Sequence, residues 1–103
     1  MNFKQFMEVT DRSGLCYELS GRYVSNHPDA ILIHGHIQNP FNKGLRELDH
    51  AWVIEDDEVF DPVMNDRCPK KVYYSLFDVK EFHRYDHENV LKNMLRHKHW
   101  GPW

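Results

Sequence analysis

The sequence predicts a single α+β domain in which a cysteine-bearing helix packs on a small antiparallel sheet and a second helix closes the chain. Its 103 residues fit one domain with one core, spanning residues 1–103. Apolar residues recur at helical spacing before and after a central group of short β-forming segments. The order helix, strands, helix is typical of α+β domains with their helices on one face of the sheet.

The first helix is predicted over about Leu15–Ser25. Ser13 lies within a turn signal at residues 11–14 and is a suitable N-cap. Four residues at i, i+3, i+4 and i+7 then share one face of the helix: Cys16, Leu19, Ser20 and Tyr23. The Asn-His-Pro-Asp segment at residues 26–29 ends the helix.

The central part of the chain predicts strands. Residues 30–37 form the first, and residues 39–48 form a loop. Residues 50–54 and 59–63 form a hairpin with Asp56 and Asp57 as its tight turn. Pro62 restricts the second hairpin strand to an edge, an end or a bulge.

The last third of the chain predicts a polar loop at residues 65–71, followed by aromatic β-formers at residues 72–77. Residues 82–85 are assigned to another strand or a turn. Asp86 is a suitable cap for a helix through about His97, and the tail from Trp100 is expected to be irregular.

Composition narrows the functional class. The formal charge of −3 argues against general electrostatic binding to nucleic acid or to an anionic membrane. No apolar stretch approaches the length of a membrane span, and the start of the chain lacks a signal-peptide pattern. A cytoplasmic protein is the resulting expectation. Cys16 and Cys68 are expected to be free thiols, with a single disulfide between them as the alternative.

Cys16 is the candidate nucleophile. It lies near the start of its predicted helix, where the partial positive charge of the helix N-terminus favours thiolate over thiol. Unpaired N–H groups there can stabilise an oxyanion beside the sulfur. The alternative is that Cys16 is a small buried apolar residue of the helix.

His50 and Asp61 are the candidate base and orienting acid. A two-residue turn at Asp56-Asp57 pairs Trp52 with Asp61 and His50 with Val63. His50 and Asp61 are then diagonal neighbours on one face, within reach of an imidazole–carboxylate contact. The alternatives are an exposed strand-edge histidine and an aspartate that caps the turn before Pro62.

The two hairpin segments, His-Ala-Trp-Val-Ile-Glu at 50–55 and Val-Phe-Asp-Pro-Val at 59–63, carry a family resemblance. Together with the upstream Cys16, they resemble the signature of papain-like and transglutaminase-like cysteine enzymes. They are also similar to small phage-encoded proteins with a Cys…HAWVE…DP pattern. The resemblance covers roughly residues 13–63 and preserves the order Cys, His, Asp.

The resemblance implies a cysteine hydrolase or acyltransferase with the catalytic triad Cys16, His50 and Asp61 and no cofactor. Its substrate would be a protein, a peptide or a small acyl compound, and a phage-infected bacterial host is a compatible source. The chain departs from the family in its short length, which implies that a substrate-binding lobe is missing, and a short active-site loop would mean an open pocket. The family's glutamine upstream of the nucleophile also has no clear counterpart; Gln5 and Thr10 are the nearest candidates.

Four further residues are candidates for the substrate pocket: Tyr23, Trp52, His34 and His36. His34 and His36 flank Gly35 on one strand and share a face, so a His-rich metal-binding domain is one alternative function. A Gly bulge in the strand is the structural explanation of the same motif. The other alternative is a catalytically silent binding or inhibitor protein of phage type on the same fold.

Overall fold

A computed structural model describes residues 15–38 and 47–103 of the chain. The helices of this part are α1 (Leu15–Ser25), α2 (Lys70–Leu76) and α3 (His87–His97). The strands are β1 (Ile31–Ile37), β2 (Leu48–Glu55), β3 (Glu58–Asp61), β4 (Asp66–Pro69) and β5 (Lys80–Tyr85). They form one antiparallel sheet in the order β4-β3-β2-β1-β5. The predicted α+β class is confirmed.

The two helices predicted from sequence have the expected limits. Asp86 caps α3 by accepting a hydrogen bond from the backbone N–H of Asn89 at 2.9 Å. Lys98 ends the helix in a left-handed conformation. The proposed cap of α1, Ser13, lies outside the described residues, as do Gln5, Thr10 and most of the predicted loop at residues 39–48.

The β2–β3 hairpin has the predicted two-residue turn. Asp56 and Asp57 have φ values of 55° and 61°, as a type I′ turn requires. Glu55 pairs with Glu58, and the ladder continues to Val53 and Phe60. β3 then ends at Asp61, so the predicted strand through residue 63 is too long; Pro62 has no N–H with which to extend the ladder.

The segment at residues 65–77 differs from the prediction. Part of the expected polar loop, Asp66–Pro69, forms edge strand β4. The aromatic residues expected in a β-strand instead form helix α2. Tyr73 packs at a tilt against the C-cap residue Phe77, with ring centroids 4.7 Å apart, and Tyr73 and Tyr74 both pack on Trp52. Burial of these rings overrides their β propensity.

Helices cover both faces of the sheet. Trp52 contacts α2, whereas Phe60, whose strand partner is Val53, contacts Tyr23 of α1. Trp52 and Val53 are consecutive in β2, so their side chains point to opposite faces. α1 and α3 contact each other on one face. The two predicted helices, α1 and α3, therefore share one face, and the unpredicted helix α2 covers the other.

The core lies at the centre of the sheet. Leu32, Ile33, Trp52 and Val53 are fully buried, and Val24 of α1 and Val90 of α3 pack into the same core. Ser20 of α1 donates a hydrogen bond to the Ala51 carbonyl at 3.2 Å, which fixes α1 along β2. Among the described helices, none combines the length and apolar character needed to cross a membrane.

Candidate active site

His50, the third residue of β2, and Asp61, the last residue of β3, form a buried pair. The Nε2 atom of His50 lies 2.7 Å from Oδ2 of Asp61, a hydrogen-bond distance typical of a charge-assisted contact. His50 exposes 0% of its surface and Asp61 exposes 2%. The alternative of an exposed strand-edge histidine is thereby excluded.

Asp61 also caps the turn that follows it. Its Oδ1 atom accepts hydrogen bonds from the backbone N–H groups of Val63 and Met64, at 3.1 and 3.4 Å. Its Oδ2 atom accepts a hydrogen bond from the Tyr73 hydroxyl at 2.8 Å. One carboxylate oxygen therefore holds the turn before the strand β4, and the other is shared by His50 and Tyr73. The turn-capping alternative and the contact with His50 are both correct.

The pair is held in its charged form. Burial lowers the pKa of His50, but the charge and hydrogen bond of Asp61, together with the Cys16 side chain, outweigh burial and raise that pKa to about 10. Burial raises the pKa of Asp61, and the charge and hydrogen bond of His50, with Tyr73 and the Met64 backbone, bring it below its ordinary value. At neutral pH the site therefore contains an imidazolium and a carboxylate.

Cys16 lies against the same imidazole. It is the second residue of α1, and its side chain contributes to raising the pKa of His50. Because Nε2 of His50 is bound to Asp61, Nδ1 is the ring nitrogen that faces the sulfur. β3 pairs with β2 only over Val53–Glu55, so no β3 partner covers β2 at the level of His50. The three residues of the predicted triad are thus brought together.

The site is closed. Cys16 exposes 0% of its surface, as does His50, so the open pocket expected with a short active-site loop is not observed. Both cysteines are free thiols, as expected from the sequence. Cys68 lies in β4, half-buried, and accepts a hydrogen bond from the backbone of Tyr73; burial nonetheless raises its pKa.

Trp52 forms a wall beside the triad. It is fully buried and stacks on His50 with ring centroids 5.9 Å apart. Its Nε1–H donates a hydrogen bond to the Tyr74 hydroxyl at 3.1 Å. The ring passes over Gly35, where an added Cβ would lie 3.0 Å from Trp52 and 2.1 Å from the Lys80 carbonyl oxygen. Gly35 therefore serves close packing, and a bulge in the β1–β5 pairing occurs there.

His34 lies next to the triad in the sheet but on its other face. It pairs with Ala51, the residue after His50, and its ring contacts Tyr17, the residue after Cys16, at a centroid distance of 4.8 Å. Tyr85 and Trp103 complete an aromatic enclosure around the ring. Burial, with the charge of His83, lowers the pKa of His34 to about 4, so the ring is neutral.

His36 has different neighbours from His34. Its Nδ1 lies 2.8 Å from a Glu47 carboxylate oxygen, and its Nε2 lies 2.6 Å from Asp49. Phe82 packs against the ring edge. Within residues 15–38 and 47–103, no group of three or more His, Cys, Asp or Glu side chains is arranged to hold a metal ion.

Tyr23 lies at the opposite end of β2 from the triad. Its hydroxyl donates a hydrogen bond to Glu55 at 2.6 Å, and its ring stacks on His27. Glu55 is five residues from His50, which is roughly 17 Å along a strand. The structure thus brings Trp52 to the triad, His34 and His36 to the adjacent strand, and Tyr23 to neither.

The sequence interpretation missed Tyr73. The tyrosine reaches Asp61 because residues 70–76 are helical, and the local β propensity concealed that helix. The turn contacts of Asp61 had a signal in the sequence, since an aspartate before a proline commonly accepts backbone N–H bonds from the next residues.

Comparison with known proteins adds no family: no family model, no curated protein and no solved structure matches this chain.

Proposed function

We propose that this protein is a cysteine-dependent acyl-transfer enzyme with Cys16 as nucleophile, His50 as acid and base, and Asp61 as the residue that orients His50. The observation that supports the proposal most directly is the buried His50–Asp61 pair at 2.7 Å, whose imidazolium faces the sulfur of Cys16. A purely structural buried cysteine requires no such ion pair beside it.

The proposed reaction has two steps. The Cys16 thiolate attacks the carbonyl carbon of an amide, isopeptide or thioester, forming a C–S bond, and the leaving amine or thiol takes a proton from His50 as its bond breaks. Water or an amine then attacks the acyl-enzyme and gives its proton to His50, and the thiolate leaves. Backbone N–H groups in the first turn of α1 are the proposed donors to the oxyanion.

A second candidate function is a catalytically silent binding protein that retains this fold. The observation that favours it is the complete burial of Cys16 and His50. On the enzyme hypothesis, the site must open for substrate to reach the sulfur. On the binding hypothesis, the triad is a structural ion pair and the thiol is inert in the folded state.

The pH dependence of Cys16 alkylation distinguishes the two functions. We expect the Cys68→Ser protein to react with iodoacetamide at about pH 6, where a free thiol, with a pKa of about 8.5, is almost entirely protonated and reacts slowly, and His50→Ala to abolish that low-pH reaction. Serine at position 68 retains an acceptor for the Tyr73 backbone. Rates are compared with those in denaturant, because reaction through global unfolding would have the pH dependence of the unfolded thiol.

An inert Cys16, or one whose low-pH reaction rate is the same with and without His50, contradicts the enzyme hypothesis and supports the binding protein. If the low-pH reaction is present, incubation with thioester and amide model substrates followed by intact mass measurement tests for an acyl-enzyme. The Cys16→Ser protein is the matched control for that adduct.

A further inference from the structure

A single oxygen of Asp61 accepts two hydrogen bonds from two different elements. His50 of β2 approaches Oδ2 at 2.7 Å, and the hydroxyl of Tyr73 of α2 approaches the same atom at 2.8 Å. Tyr73 exposes 3% of its surface, so water does not compete freely for this bond. The remaining oxygen of Asp61 is held by two backbone N–H groups.

We propose that Tyr73 is a positioning residue of the active site, which acts on His50 through the carboxylate of Asp61. This inference rests on the proposed function of the triad, and it adds the unpredicted helix α2 to the active site. A tyrosine hydroxyl that served only to fill the core would not need to donate to the carboxylate that binds the imidazole.

The hydroxyl of Tyr73 has two physical effects on Asp61. It fixes the plane of the carboxylate, because the two oxygens are then held by donors from three segments: β2, α2 and the turn after β3. It also stabilises the ionised carboxylate, since a donor to the charged form lowers the pKa of an acid. Both effects keep the charged His50 ring directed at Cys16.

The packing of α2 makes this contact stable. The Tyr73 ring packs at a tilt against both Phe77 and Trp52, and Trp52 in turn stacks on His50. The charged and titratable groups that act on Tyr73 are Asp61, Cys68 and Cys16. Those that act on Asp61 include His50 and Tyr73, and the charge of Asp61 also acts on Cys68.

The test is Tyr73→Phe in the Cys68→Ser protein, with Tyr74→Phe as the matched control. Tyr74 is the next residue of the same helix, and its hydroxyl binds Trp52 and Glu81 instead of Asp61. At acidic pH the rate of Cys16 alkylation falls, and this fall is the acid limb of the profile. We expect Tyr73→Phe to shift the acid limb to higher pH by about one unit, because Asp61 becomes protonated at a higher pH. Tyr74→Phe is expected to leave that limb in place.

A second measurement is the imidazole ¹⁵N chemical shift of His50, followed by NMR as pH falls. With Tyr73→Phe, the shift should report loss of the Asp61 hydrogen bond at a higher pH than in the parent protein. The chemical shift does not depend on how fast the buried active site opens to a reagent. Circular dichroism establishes that the variant is folded.

The outcomes separate this inference from the proposed function. If the parent protein lacks a low-pH alkylation limb that requires His50, the triad hypothesis itself fails. If that limb is present but Tyr73→Phe leaves both it and the His50 shift unchanged, the triad stands and the role of Tyr73 is overturned. A shift of equal size in Tyr74→Phe also overturns it, since the effect then reflects loosening of α2.

Discussion

Asp61 is the residue on which the site and the fold both depend. It binds the imidazole and the tyrosine through one oxygen and caps a turn through the other. Because the residue and its partner His50 are both buried, removing one charge leaves the other without compensation. Catalytic geometry and stability are therefore coupled at this position.

We expect Asp61→Asn to lower the free energy of unfolding by about 3 kcal/mol near pH 6. The asparagine amide retains one acceptor for the turn but presents N–H groups to His50 and Tyr73, which are donors themselves. The raised pKa of His50 and the lowered pKa of Asp61 determine the pH window of the effect. The ionised Asp61 contributes to the free energy of unfolding above about pH 4. The contribution of the charged His50 declines as pH rises from about 6.5.

Urea denaturation of both proteins from pH 3 to pH 10 measures this difference. The difference in unfolding free energy between the parent protein and Asp61→Asn should be largest between about pH 4 and 6.5 and should decrease toward both ends of the range. A gap that is constant with pH would mean that the loss comes from packing alone and that the pair is not ionised.

At the scale of elements, the predictable parts were those whose signals are local. Asp86 indicates the start of α3, and the Asp56-Asp57 turn sets the register that brings Asp61 to His50. Helix α2 and strand β4 depend on contacts across the sheet, chiefly the packing of Tyr73 and Tyr74 on Trp52. The contacts of Tyr73 could not be predicted from the sequence of residues 65–77, because the local preferences of that segment favour a loop followed by a strand.

The hairpin turn gives a prediction at this scale. Asp57 has a φ of 61°, a conformation that glycine adopts without strain. We expect Asp57→Gly to raise the free energy of unfolding by about 0.5 kcal/mol. Glycine removes the strain of the positive φ in the folded protein, and this gain exceeds the cost of the greater conformational entropy of the unfolded chain. Asp57→Ala removes the same charge but is strained at positive φ, so it should lower stability.

Thermal unfolding of the two turn variants checks this prediction. Opposite signs for glycine and alanine would show that the backbone conformation determines the effect. A similar gain in both variants would instead attribute it to relief of repulsion among the neighbouring acidic residues Glu55, Asp56 and Glu58.

At the scale of the whole molecule, the two faces of the sheet have different electrostatic character. The face covered by α2 contains the charged His50–Asp61 pair, and the face covered by α1 and α3 contains the neutral His34. The C-terminal tail closes this second face: an added Cβ at Gly101 would lie 2.8 Å from the His34 ring, and Trp100 packs on Gly21 of α1. His50 is therefore charged at neutral pH, whereas His34 gains its proton only in acid.

The final prediction concerns His34. Its Nε2 atom is buried and has no hydrogen-bond partner among the described residues, and its pKa in the folded protein is about 4. The unfolded chain binds a proton there at about pH 6.5, so stability falls as pH decreases from 6.5 through 4. The loss should reach up to about 3 kcal/mol. In His34→Phe, which retains an aromatic ring in the enclosure, this part of the pH dependence should disappear.

The test is the slope of unfolding free energy against pH between 4 and 6.5, in the parent protein and in His34→Phe. Comparing slopes removes any constant change caused by the larger ring next to Gly101. His97→Phe is the control, because His97 is exposed in the last turn of α3 and lies outside the enclosure around His34. If the parent and His34→Phe have the same slope, His34 is solvated or partnered in solution, and the tail does not seal this face of the sheet.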